Sequence, residues 1–137
     1  MRVPRRSRRV VSPLRQVVAG GHALYYLVTG IWPLLHMPSF LRVTGPKTDL
    51  WLVRTVGALI AVVGLALGRA ALRRRVTPDI ALLATGSAAA LTAIDVIYVA
   101  SGRIAPIYLL DAAGEVALIG AWAISGGTGV VDKAATK

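Results

Sequence analysis

Three carboxylates and a histidine interrupt segments that are otherwise apolar. In the stretch YLLDAAGEVALIGAW, residues 108–122, Asp111 and Glu115 lie one helical turn apart. A third acid, Asp95, breaks TAIDVIYVA, and His22 breaks VVAGGHALYYLV. Carboxyl groups in such surroundings accept hydrogen bonds, hold a cation or carry a proton, and an imidazole can exchange that proton. Tyr25 and Tyr108 fall on the same helical stripes and can donate to the acids. Arg54 is the nearest candidate counter-charge. The expected ligand or proton site is therefore Asp95, Asp111, Glu115, His22, Arg54, Tyr25 and Tyr108.

The elements that must position these groups are membrane spans. Of the 137 residues, 55% are hydrophobic and only 16% charged, against about 25% charged in a soluble domain. Four apolar segments of span length are expected at 14–36, 50–72, 79–101 and 104–125. Met37-Pro38, Gly45-Pro46, Thr77-Pro78 and Ser101-Gly102 mark the breaks, and 37–49 reads as a loop. The predicted fold is all-α, an integral membrane four-helix bundle over 14–125. A basic tail (1–13) precedes it and a flexible tail (126–137) follows.

The formal net charge of +10 would suggest nucleic acid in a soluble protein. Here the basic clusters, MRVPRRSRRV and RAALRRR, abut apolar spans, and no nucleic acid is expected as partner. Twelve of the sixteen Lys and Arg residues fall on the side of the termini and the 73–77 turn. The positive-inside rule then makes both termini cytoplasmic and the 37–49 and 101–104 segments external. The expected location is the inner (plasma) membrane, multi-pass, with membrane lipids as partners and a homo-oligomer allowed. SRRVVSPL is a weak match to a twin-arginine signal, and an uncleaved first span fits it better.

Chemistry is narrowed further by what is missing. No cysteine is present, which excludes disulfides and dithiol redox chemistry. GPKTD, residues 45–49, lacks the glycine spacing and preceding strand of a phosphate-binding loop. It reads as a turn leading to a helix cap at Thr48 or Asp49. His22 and His36 share a face at a separation that could stack haems, but no other span carries a histidine. No cofactor and no metal are expected. Trp and Tyr near span ends read as interfacial anchors.

Helix faces refine the site. His22, Tyr25, Tyr26, Thr29, Trp32, Pro33 and His36 share one stripe. Arg54, Gly57, Ala61, Gly64 and Gly68 form a small-residue seam. Thr85, Ala88, Thr92 and Asp95 form a third stripe, and Tyr108, Asp111, Glu115, Leu118 and Trp122 a fourth. These four faces are expected to point at one another. Arg54, Asp95 and Asp111 then share an outer layer, with Arg54 paired to one acid. Glu115 and His22 lie near the midplane, where Glu115 is expected to hold its proton.

The segments YYLVTGIWPLL, TGPKTDLWLVRTVG and TAIDVIYVASGRIAPIYLLDAAGE resemble a group of small bacterial four-helix membrane proteins of uncharacterised function. The likeness covers most of residues 20–122 and implies the four-span plan without an activity. DoxX-like proteins and the sterol-related EXPERA group share that plan and acids within the bundle, and no motif of theirs transfers. The expected role is binding or moving a small, cationic or amphipathic ligand or protons. A lipid-modifying enzyme using Glu115 and His22 as acid and base, or a structural subunit of a membrane complex, are the alternatives.

Overall fold

The computed structural model describes residues 12–127. The expected tails, 1–13 and 126–137, lie almost wholly outside these residues. Five helices follow in order: α1 Pro13–Leu35, α2 Met37–Thr44, α3 Leu50–Leu72, α4 Pro78–Ala100 and α5 Tyr108–Gly127. No strand occurs among the described residues. Four of the helices, α1, α3, α4 and α5, are long and apolar enough to cross a membrane. The protein is an all-α, multi-pass membrane protein.

Local chemistry explains the breaks. Pro13 opens α1 and Pro78 opens α4, each at a first-turn position where no backbone donor is lost. Thr77 caps α4 by accepting from the Ile80 N–H at 3.3 Å. The short helix α2 occupies most of the segment expected to be loop. The Met37-Pro38 pair reads as a stop, yet proline also suits a helix start. His36 makes it one, its Nδ1 accepting from the Ser39 N–H at 3.2 Å. Trp32 then donates to Ser39 Oγ at 2.7 Å, folding α2 back onto α1. His36 is thus an exposed cap, off the face it was expected to share with His22. Asp49 stands at the start of α3, but its side chain caps nothing.

The fourth span also starts later than expected, at Tyr108 rather than 104. The residue before a proline is pushed out of helical backbone, so Pro106 delays the start. Residues 101–107 form a turn instead, with Gly102 at φ 69°.

Helix α1 is central. It packs closely on α3 along one side and on α5 along the other, while α4 packs mainly on α5. The α1–α3 contact runs antiparallel through Gly30 opposite Gly57 and Ala61, and Ala23 opposite Gly64 and Gly68. A Cβ on Gly30 would stand 2.6 Å from the Gly57 carbonyl, so these backbones touch. Lipid is as apolar as any side chain, and close van der Waals approach of this kind is what holds spans together. Ala19, Ala23, Leu67, Val76, Ala84 and Trp122 form an apolar plug at the end of the bundle near the 73–77 turn. Leu24, Leu59, Leu65, Leu82, Leu110 and Ile124 face outward, as lipid-facing positions should.

A candidate ligand site between helices α1, α4 and α5

The polar stripe of α5 meets the aromatic stripe of α1, and the acids are stacked by their helical spacing. In the upper layer, toward α2, Tyr25 donates its hydroxyl proton to Asp111 Oδ1. Asp95, 5% exposed on α4, faces Asp111 at hydrogen-bonding range. One turn deeper, Glu115 is 1% exposed and takes its place beside Tyr26. The Tyr26 hydroxyl lies 3.2 Å from Glu115 Oε2 and 3.2 Å from Ser87 Oγ. Beneath them, His22 is fully buried with Nε2 4.0 Å from Glu115 Oε2.

Proton counting adds detail. The Trp122 indole N–H donates to His22 Nδ1 at 3.1 Å. An indole nitrogen can only donate, so Nδ1 carries a lone pair and the single imidazole proton sits on Nε2, toward Glu115. His22 is therefore neutral and does not offset the acids. Ser87 Oγ donates to the Leu83 carbonyl at 2.6 Å, so toward Tyr26 it can act only as an acceptor. Tyr26 has one proton for two acceptors. If it goes to Ser87, Glu115 must supply the proton for the Tyr26–Glu115 bond.

Three buried atoms in this column have no hydrogen-bond partner among the described residues: Asp95 Oδ2, Glu115 Oε1 and His22 Nε2. Buried polar atoms are normally satisfied, so a column with two open acceptors and one open donor is chemically primed. No group of three or more His, Asp or Glu side chains among the described residues is arranged to hold a metal ion.

The structure brings together Asp95, Asp111, Glu115, His22 and Tyr25, with Tyr108 at the upper end of the same α5 stripe. It does not bring in Arg54. That side chain is exposed on α3, and the one acid–base contact within 4 Å among the described residues is His22–Glu115. The expected ion pair with Asp95 or Asp111 is absent for a geometric reason. The seam that Arg54 adjoins is filled by α1 itself, with Gly57 against Gly30 and Pro33. The acids lie on the opposite side of α1. The four stripes do not converge on one centre.

One partner, Ser87, was missed at the level of sequence, and Trp122 was read both as part of an inward stripe and as a span-end anchor. Trp122 fits the expectation of an interfacial anchor by position, but it is 4% exposed and holds His22. Its place on the 108–111–115–118–122 stripe was the available signal. Ser87 carries no periodic signal, because its neighbours at three- and four-residue steps on α4 are Leu83, Ala84, Ala90 and Leu91. Comparison with protein-family models, curated proteins and solved structures returns no match.

Proposed function

We propose that this is a bacterial inner-membrane protein, loosely DoxX-like in plan, with both termini cytoplasmic. Its acidic column opens to the outside and binds or moves a small cationic or amphipathic ligand, or protons. The observation that carries this reading is the set of unpartnered buried atoms Asp95 Oδ2, Glu115 Oε1 and His22 Nε2. Packing networks normally close their own hydrogen bonds, whereas here the deepest acid keeps Oε1 and the histidine keeps Nε2 without a partner among the described residues. Three carboxyl groups face no buried cation among the described residues, so a bound cation or protons must balance them.

Glu115 is the proton-bearing acid in this reading, and infrared difference spectroscopy tests it. The wild type should show a protonated-carboxyl band near neutral pH that disappears in Glu115→Gln. A spectrum without that band would leave Glu115 ionised and remove the reading's central group. Orientation is tested by reporter fusions, external at Gly45 and Gly102 and cytoplasmic at Arg74. An inverted result would turn the column toward the cytoplasm.

The enzyme alternative draws on the same His22–Glu115 approach. It has less support, because Nδ1 is occupied by Trp122 and among the described residues no activated nucleophile stands beside the pair.

A further inference from the structure

Above the acid layer, at the α2 end of the bundle, lies an open cavity of about 420 Å³ whose walls include Thr44, Lys47, Arg103 and Pro106. That is within the range of small-ligand sites. Its charge is opposite to that of the column below. Lys47 is fixed there by donating to the carbonyls of Thr44 at 2.8 Å and Gly45 at 3.2 Å. An ammonium has three donors, so one remains. Arg103 enters from the other wall, on the turn made by Gly102. Neither cation has a carboxylate within 4 Å among the described residues. The nearby loop acid, Asp49, is exposed and lies 3.4 Å from the Thr48 hydroxyl.

Tyr108 joins the two regions. Its ring lies 5.1 Å from Lys47 Nζ, its hydroxyl sits against Thr44, and Asp95 and Asp111 are close enough to act on it electrostatically. Tyr108 and Asp111 are separated by about 4.5 Å along the helix axis. Val99 in the cavity wall lies about one turn above Asp95 on α4, and Asp95 keeps a buried oxygen without a partner among the described residues.

We propose that cavity and acid layer form one two-part site for a zwitterion, its phosphate against Lys47 and Arg103 and its ammonium against Asp95 and Asp111. This rests on the reading of the column as a cation site and names its ligand class, an aminoalkyl phosphate. Such a ligand supplies the missing charge to both regions at once. Burial holds the Lys47 ammonium below its ordinary value of 10.5, and a phosphate on its third donor would offset that cost. The group can arrive as a lipid head group or as the free phosphomonoester.

Native mass spectrometry of the full chain in an uncharged maltoside tests the proposal. The probes are short-chain phosphatidylethanolamine, short-chain phosphatidylglycerol, hexylamine and free phosphoethanolamine. The zwitterionic lipid should bind about tenfold or more tightly than the anionic lipid or the amine. Lys47→Gln combined with Arg103→Gln should erase its advantage over the amine and leave amine binding unchanged. Lys47→Arg, which keeps the charge, should retain the advantage. Asp95→Asn with Asp111→Asn should erase its advantage over the anionic lipid. Free phosphoethanolamine bound as tightly as the lipid identifies a soluble ligand, and preference for the lipid identifies a head group; both support the two-part site. Equal binding of amine and zwitterion, indifferent to the Lys47 and Arg103 changes, overturns it and leaves the cation-site reading standing. If the amine does not bind at all, that reading fails as well.

Discussion

Helix α1 is packed on two sides by opposite means. Toward α3 it offers Gly30 and Ala23, and the backbones meet so closely that no side chain fits between them. Toward α5 it offers His22, Tyr25 and Tyr26, each engaged in a polar or ring contact with a neighbour. The His22 and Tyr26 rings themselves meet edge to face at 4.3 Å. One side is dry and sterically determined, and the other is polar with open valences. The first sets where α1 sits against α3; the second joins α1 to α5 and still leaves buried polar atoms without partners among the described residues.

The largest effect should come from breaking the dry side. Gly30→Val or Gly57→Val would drive a Cβ into backbone at 2.6 Å, where no flexible side chain can yield. Overpacking typically costs about 1–3 kcal/mol, and a backbone clash belongs at the upper end. Unfolding in mixed detergent measures it. Gly86→Ala, where nothing lies within 4 Å, should be neutral or slightly stabilising. Equal stability of Gly30→Val and wild type would mean that the seam is not what holds α1 to α3.

The polar side should respond more mildly and in a different observable. Trp122→Phe keeps the ring but removes the donor to His22 Nδ1, leaving a buried acceptor unpaired at about 1–3 kcal/mol. Nitrogen NMR should find the wild-type His22 proton on Nε2 and, in Trp122→Phe, a redistribution between the two nitrogens. A wild-type signal with the proton on Nδ1 would contradict the Trp122 bond.

The contrast between the two sides also explains what could be read in advance. Span number, three of the four span starts to within a residue, and the stacking of Glu115 under Asp111 follow from hydropathy and the helical period. The nearness of His22 to Glu115 followed from depth counting alone. Arg54 was misplaced because periodicity states which residues share a face, not which neighbour that face meets. A glycine seam is equally consistent with the bundle centre and with a single partner helix, and only packing decides. Helix α2 was missed because its start signal is a histidine cap followed by proline, and Met37-Pro38 read as a break. Trp122 was placed on the inward stripe of α5, where it is buried, but its indole donor went unread since span-end tryptophans also serve as anchors.

The smallest effect concerns Lys47, at the mouth of the polar side. Burial lowers its ammonium below the ordinary 10.5, so between its folded value and 10.5 the unfolded chain holds more protons than the folded one. The Lys47 contribution to stability must then rise with pH across that window, since the protonated lysine is the form that burial penalises. Below its folded value the lysine is charged in both states and the penalty is fully present. Tyrosines also titrate in alkaline solution, so the informative quantity is a difference. In thermal melts of wild type and Lys47→Gln in maltoside, taken at steps up to pH 10.5, the difference should shift in favour of the wild type as pH rises. Gly57→Val should lower the whole wild-type curve without changing its slope, because the dry seam has nothing to titrate. Parallel curves for wild type and Lys47→Gln would show that Lys47 is as well hydrated in the folded chain as in the unfolded one. The carbonyl contacts that fix it over Tyr108 would then not hold it in a buried position.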